Sequence, residues 1–301
     1  MLAVGSSSSP LLAWLAPALT ALLLYGLGQG FVKKYVGDVS PARFCLFFVV
    51  ARSLVGLGFF ATQEHPPPFS QAGEPFLAWV TVVYLLDGVG WILYYRSILM
   101  GPITIVGTLS AAYPALTVVF AALFLGEVLS PLKYLGVGLV ILGCLGLSWS
   151  PPDPQAPAGH KAWIPLATMA LILWGGAQTV LKYAYSLPQA DEANAMLYMI
   201  FGGWATLGVY GLLYGRKASQ AGDTSAAREW LHAMLPMGMM AGGDAAVIVA
   251  TRYGPVSIVT PMTAAYPLVT IAFARLVLKE RITALQYASI LSTLAGMYLT
   301  I

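Results

Sequence analysis

Two carboxylates stand within long apolar runs of this 301-residue sequence. Asp87 lies between the runs 82–86 and 88–91, and Asp244 follows the small residues 241–243. A carboxylate near the centre of a membrane-spanning helix costs about 2.5–3.5 kcal/mol on insertion scales, so it usually faces a pathway or a partner. Because burial disfavours the charged form of a carboxyl group, such a group can take up and release a proton. We therefore expect Asp87 and Asp244 to carry a coupling proton or to bind a cationic group.

A structural role for the same two acids is the alternative. Each carboxylate could form an ion pair with a basic side chain inside the protein, and such a pair needs no ligand. The candidate partners in the sequence are Lys33, Lys182 and Arg52. Glycines lie beside both acids, as close packing against either a partner or a ligand requires, so the sequence leaves both interpretations open.

A polar face occurs twice in the sequence. It consists of an aromatic residue, a glutamine and a lysine at positions i, i+4 and i+8, which place the three side chains on one side of a helix. The residues are Tyr25, Gln29 and Lys33 in the first half, and Trp174, Gln178 and Lys182 in the second half. Because the whole face recurs, we expect it to line a central cavity. The alternative is that each lysine reaches the lipid headgroups while each glutamine bonds a neighbouring carbonyl.

Aromatic residues extend this candidate site. Trp91 and Tyr94 follow Asp87 by about one and two helical turns, which gives that helix an aromatic side. Tyr113 and Tyr266 each precede a proline inside an apolar run. A proline there leaves a backbone carbonyl without its usual donor, so these points should face protein or a cavity and not lipid. Contact with a ligand and simple packing are both consistent with these positions.

The elements that hold these residues must be membrane helices. The composition is 58% hydrophobic and 9% charged with a mean hydropathy of +0.77, whereas a soluble domain carries roughly 25% charged residues. Runs of about 20 apolar residues, the length that crosses a bilayer, are continuous and do not alternate as the strands of a barrel do. We predict an all-α integral membrane protein with ten transmembrane helices, at 11–31, 42–61, 77–98, 102–125, 131–149, 163–185, 195–215, 231–253, 256–277 and 283–301.

The chain also contains an internal duplication. Residues 101–148 align without a gap on 254–301, with about 17 identities in 48 positions. The sequence therefore predicts two five-helix repeats, 1–150 and 151–301, joined at a proline-rich loop. Five is an odd number, so the second repeat must enter the bilayer in the opposite sense. Inverted repeats of this kind are typical of secondary transporters, whose substrate binds near the midplane.

Several other functions are disfavoured. No basic tract fits a nucleic acid. No histidine lies within a helix core, and no nucleophile is paired with a base, so we expect neither an enzyme nor a metal or other cofactor. Glu127, at a junction between helices, suits a helix cap better than catalysis. The expected partners are a small-molecule substrate and the lipid bilayer, and assembly into homodimers stays open.

Several motifs resemble the drug/metabolite transporter superfamily, and its EamA-like branch in particular. They are Trp174-Gly175 followed by Lys182, Gly254-Pro255 at the start of a helix, and Leu125-Gly126-Glu127 before a short junction. The resemblance spans both repeats, with departures at Tyr25 and Lys279. It implies a central cavity between predicted spans 1, 3, 4 and 6, 8, 9, and transport of metabolites or drugs by proton coupling or exchange.

Together these observations predict a secondary active transporter that works by alternating access in the cell (inner) membrane. The leading substrate is a small polar or zwitterionic metabolite such as an amino acid, whose carboxylate would meet Lys33 and Lys182. The alternatives are efflux of a cationic drug or toxic metabolite, and a receptor or scaffold that does not transport. The count of basic residues in the loops places both termini outside, whereas the resemblance places them in the cytoplasm, so the orientation stays open.

Overall fold

The computed structural model describes residues 10–35, 39–100, 106, 109, 112–149, 162–218, 226–279 and 281–301, and in these residues every regular element is helical. In chain order the α-helices are α1 (Pro10–Tyr35), α2 (Pro41–Thr62), α3 (Glu74–Met100), α4 (Tyr113–Phe124), α5 (Pro131–Ser148), α6 (Trp163–Ala184), α7 (Glu192–Gly203), α8 (Val209–Ala218), α9 (Ala226–Tyr253), α10 (Val256–Ala264), α11 (Pro267–Leu276) and α12 (Ala284–Thr300).

The chain is a multi-pass integral membrane protein. Within the described residues, seven helical segments are long and apolar enough to cross a membrane. They are Pro10–Val32, Ala42–Thr62, Gln71–Ser97, Trp163–Ala184, Glu192–Gly215, Arg228–Tyr253 and Val256–Leu276. Tyr113–Phe124 and Pro131–Leu147 are shorter apolar helices. Most of 101–111, the first part of the fourth predicted span, lies outside the described residues, so the count of ten stays a prediction.

The helix ends follow from local sequence. Ser40 and Ser130 each accept a hydrogen bond from a backbone N–H in the first turn of the following helix, and each precedes a proline at the first helical position. Asp191 caps α7 in the same way. At α12, Thr283 and Gln286 form a reciprocal capping box. These N-caps begin four of the helices at the point where the sequence changes from polar to apolar.

Two predicted spans are irregular. The seventh consists of α7 and α8 joined by a π-helical turn, Trp204–Gly208. The ninth consists of α10 and α11, which break at 265–266 because Pro267 has no N–H to continue the first helix. Irregular backbone at membrane depth needs protein around it. Consistent with this, every residue of α10 is buried.

The principal helix contacts join the two halves of the chain. α1 packs along α9, α3 packs along α6, and α5 packs along α12. Glycines allow the last pair to approach closely: a side chain at Gly136 would meet the backbone carbonyl of Gly296, and one at Gly143 would meet Ser289 and Thr293. Small residues that bring backbones together are the usual basis of helix association in membranes.

Two clusters of buried apolar side chains enclose the region of the acids. One combines α2 and α9 side chains and packs against Tyr25 and Trp91. The other combines α3, α6 and α7 side chains and packs against Leu86 and Ala245. Asp87 directly follows Leu86 and Asp244 directly precedes Ala245, so both acids adjoin the second cluster.

The close contact between α5 and α12 predicts that a larger side chain destabilises the protein at Gly136 but not at Gly138. Gly136→Val should lower the melting temperature, because overpacking at a tight contact costs about 1–3 kcal/mol. Gly138→Val is the matched control two residues along the same helix, where a side chain would meet no atom of the described structure within 4 Å. Thermal unfolding of both variants in the same detergent measures the difference. Equal melting temperatures would contradict the close approach of α5 and α12.

Candidate functional site

A buried arginine joins the two acids. Arg52 lies in the middle of α2 and its side chain is 2% exposed. Its Nε donates to Asp244 Oδ2 at 2.7 Å, and its Nη1 forms an ion pair with Asp87 Oδ2 at 2.9 Å. The guanidinium also stacks over the ring of Phe48, 4.1 Å from the ring centre. A charge in this position needs such partners, since an unpaired ion in a low-dielectric interior is very costly.

The two carboxylates differ in their remaining partners. Asp244 Oδ1 accepts a hydrogen bond of 2.6 Å from the hydroxyl of Tyr25, so both of its oxygens are bonded. Asp87 Oδ2 meets Arg52 as an ion pair, without the alignment of a hydrogen bond, and the Trp91 indole also interacts with this carboxyl group. Each acid therefore has Arg52 and one aromatic side chain as partners.

A small cavity borders this charged group. Its volume is about 30 Å³, which admits one or two water molecules. The side chains that line it come from α1, α2, α3, α6 and α9, and they are Tyr25, Arg52, Val83, Tyr84, Asp87, Ala177, Gln178, Leu181, Asp244 and Val247. Gln178 is notable, because its buried Oε1 has no hydrogen-bond partner among the described residues. Among those residues no cluster of His, Cys, Asp or Glu side chains could hold a metal ion.

Aromatic rings pack around Trp174 next to this cavity. The centre of the Trp174 ring lies 5.0 Å from Trp91, 5.4 Å from Tyr94 and 6.0 Å from Tyr113. The indole Nε1 of Trp174 donates to the backbone carbonyl of Asp87 at 3.4 Å. Three candidate aromatic residues of the first half thus gather around Trp174 of the second half, which is bonded to the backbone of Asp87.

Tyr266 and Gln29 are not among the residues that line the cavity. Tyr266 packs edge-on against Tyr25, with 6.0 Å between the ring centres. Gln29 Nε2 lies 3.9 Å from the sulfur of Met240, and Gln29 does not line the cavity. The side chain of Lys33 lies outside the described part of the structure.

Lys182 has backbone partners at one end of the molecule. Its ammonium group donates to the carbonyls of Thr251 at 2.9 Å, Arg252 at 3.3 Å and Gly254 at 2.7 Å. These carbonyls end α9, where a positive charge is favourable to the helix dipole. Lys182 thus holds the end of a helix, and it is not among the residues that line the cavity.

Glu127 caps the next helix from the other half of the chain. Its carboxylate accepts hydrogen bonds from the backbone N–H of Val256 at 3.1 Å and of Ser257 at 3.0 Å, and from the Ser257 hydroxyl at 2.6 Å. A negative charge at a helix N-terminus is stabilising, so the capping role expected from the sequence matches the geometry at α10. Lys182 and Glu127 therefore fix the Gly254-Pro255 junction from both sides.

Sequence reasoning did not give Arg52 its role at the centre of the site. The signal was present, because Arg52 is the one charged residue of α2 inside an apolar run, and it was among the possible partners of the acids. What the sequence lacks is the packing of α2 against α9, and the reach of the Arg52 side chain to α3, which bring its guanidinium to Asp244 and Asp87 together. The partner of a buried charge follows from tertiary contacts, and these are not readable from one helix.

Comparisons with known proteins agree with a membrane transport fold. The family model of the EamA-like transporter family matches residues 12–149 and again 161–301. An uncharacterized transporter in the cobO 3′ region of a Sinorhizobium species is 26% identical over 137 residues, which are 45% of this chain and 96% of that protein. A crystal structure described only as that of a protein superposes with a TM-score of 0.74 at 16% identity, over 96% of this chain and 97% of its own.

The ion-pair geometry predicts that replacing Arg52 strongly destabilises the protein, and that neutralising one of the two carboxylates restores part of the lost stability. Arg52→Met leaves two buried carboxylates without a counter-charge, which should lower the free energy of unfolding by about 3–5 kcal/mol. The double variant Arg52→Met/Asp87→Asn should recover part of this loss, and so should mild acidification, because protonation removes the repulsion between the acids. Thermal unfolding of the purified variants measures both effects. An Arg52→Met protein as stable as wild type would contradict the geometry.

Proposed function

Because the chain belongs to the EamA-like transporter family, we propose that it is a secondary active transporter that moves a small polar or zwitterionic metabolite, such as an amino acid, across the cell membrane. The observation that carries this proposal is the group formed by Arg52, Asp87 and Asp244 beside the cavity. One acid comes from each half of the chain. A charged site between two halves is where secondary transporters bind their substrates.

We further propose that the chain consists of ten spans in two repeats, 1–150 and 151–301. Two hydrogen bonds support this, since each is the counterpart of the other. The hydroxyl of Thr117 donates to the Gly175 carbonyl at 3.3 Å, and the hydroxyl of Thr270 donates to the Gly26 carbonyl at 3.1 Å. Thr117 aligns with Thr270, and Gly26 aligns with Gly175, so exchanging the halves turns one bond into the other.

The α5–α12 pair supports the same relation. In the alignment of the repeats, Gly136 corresponds to Ser289 and Gly143 corresponds to Gly296. The close approach of Gly136 to Gly296 therefore has its counterpart in the approach of Gly143 to Ser289. Contacts that exchange in pairs are expected for a twofold axis between the repeats. The match of one half of the chain to nearly the whole of a relative also fits a five-helix unit.

This symmetry suggests how access to the cavity alternates. If the two repeats are alike but inverted, a rearrangement that opens one side has an equivalent that opens the other. In the present structure the cavity admits only one or two water molecules, so the helices around it must move apart before a metabolite can enter. The Lys182 and Glu127 contacts at Gly254-Pro255 would then hold one end shut.

The charges suggest the coupling. Arg52 supplies one positive charge to two carboxylates, so the fully ionised group carries one excess negative charge. A buried excess charge is unfavourable, and a proton or a cationic substrate group relieves it. Asp87 and Asp244 are therefore the coupling candidates. The same charge also favours a second candidate function, the efflux of a cationic compound.

Transport can be measured directly in proteoliposomes. With a pH gradient imposed, wild-type protein should accumulate at least one component of a ¹⁴C-labelled amino acid mixture. Asp87→Asn and Asp244→Asn should each reduce this uptake at least tenfold, because either change removes the excess negative charge. Glu64→Gln, in an exposed loop, is the control for loss of a carboxylate elsewhere.

Three results would each contradict a different part of the proposed function. Full pH-driven uptake by both Asp→Asn variants would remove the coupling role of the acids. Binding of an amino acid without flux or counterflow would instead indicate a receptor or scaffold. Transport of cationic compounds alone, in the direction opposite to the expected amino acid uptake, would favour the efflux function.

A further inference from the structure

One side of the cavity has a hydrogen-bond acceptor without a donor. Each oxygen of Asp244 already accepts one hydrogen bond, from Tyr25 or from Arg52. Asp87 Oδ2 lies 2.9 Å from Arg52 Nη1 as an ion pair, and the Trp91 indole interacts with the same carboxyl group. Gln178 Oε1 is buried and has no hydrogen bond among the described residues. Burying an acceptor without a donor costs about 1–3 kcal/mol, so this side of the cavity favours an occupant that donates.

The charge around the cavity gives the sign of that occupant. Its charged lining residues in the described structure are Arg52, Asp87 and Asp244, which sum to one negative charge. Lys182 does not compensate, because its ammonium group is bonded to the carbonyls at the end of α9. An occupant that carries one positive charge would neutralise the group, whereas an anion would add to the excess.

We propose that Asp87 and Gln178 form a subsite for a primary ammonium group, and that Asp244 and Arg52 are its fixed support. This inference rests on the proposed transport function and names the part of the substrate that the cavity binds. An ammonium group has three N–H donors and one charge. It is close to a water molecule in size, so it fits a volume of about 30 Å³ without rearrangement.

The aromatic rings indicate where the rest of the substrate lies. Trp174 bonds to the backbone of Asp87 and packs against Trp91 and Tyr94. An apolar or aromatic body attached to the ammonium group would extend onto these rings, which offer large apolar area at little entropic cost. The subsite thus selects the head of the substrate, and the rings accept its body.

A matched series of compounds tests the sign of the charge. Phenethylamine, L-phenylalanine and 3-phenylpropionate share a phenyl body and differ in the charged head. Calorimetric titration of purified protein at pH 7.5 should give phenethylamine an affinity at least tenfold higher than 3-phenylpropionate, with phenylalanine between them. Equal or tighter binding of 3-phenylpropionate, or no binding of phenethylamine at 10 mM, would overturn the proposal.

Substitutions of the glutamine test the location. Gln178→Glu adds a second negative charge at the subsite and should raise the affinity for phenethylamine about tenfold. Gln178→Met keeps the size, removes the acceptor and should lower that affinity several-fold. Gln63→Glu, which adds the same charge at an exposed position, should leave it unchanged. A Gln178→Glu protein that binds the amine no better than wild type would overturn the assignment.

The contribution of Asp87 to amine binding is tested in the same calorimetric assay. Asp87→Asn should lower the affinity for phenethylamine at least tenfold in protein whose melting temperature shows that it is folded. If this variant does not fold, the two Gln178 variants decide the question alone. Because binding is measured without a gradient, these results are independent of transport. If the compounds bind in the expected order of affinity but no flux is found, only the transport function is refuted. If an anion is transported and amines bind weakly, only the subsite is refuted.

Discussion

The burial of one guanidinium between two carboxylates sets the conditions for the rest of this structure. Inside a membrane protein an isolated charge is too costly to persist, so Arg52 requires acids and the acids require Arg52. The three residues lie on α2, α3 and α9, and Tyr25 of α1 completes the shell around Asp244. These helices must therefore meet at one place, and helix packing and charge neutralisation favour the same arrangement.

Small residues make that meeting possible. A side chain at Gly90 would meet the Trp174 indole, and one at Gly243 would meet the Tyr25 ring. When the gap-free alignment of 101–148 on 254–301 is extended towards the N-terminus, Gly90 pairs with Gly243, but Asp87 does not pair with Asp244. Asp244 corresponds to Trp91, one helical turn from Asp87. Because of this offset, the equivalent aromatic residues Tyr25 and Trp174 make different hydrogen bonds. Tyr25 donates to the side chain of Asp244, whereas Trp174 donates to the backbone carbonyl of Asp87.

Much of this could be predicted from the sequence, for physical reasons. Long apolar runs indicate membrane helices whatever their neighbours are, and the EamA-like resemblance was confirmed. The depth of Asp87 and Asp244 followed from the apolar residues around them. The partner of each charge could not be predicted, because a single helix does not specify which helices pack against it. Lys182 illustrates the point: its position suggested a ligand for an anion, and its contacts are the carbonyls at the end of α9.

The central claim is that the cavity beside Arg52 opens to each side of the membrane in turn. A single cysteine at position 83, which lines the cavity, tests it in a protein whose buried Cys45 and Cys144 are replaced by alanine. A membrane-impermeant maleimide is applied to vesicles of each orientation. We expect labelling of Val83→Cys from both sides, at rates that a bound substrate changes in opposite directions. Labelling from one side only, whatever the substrate or pH, would contradict alternating access.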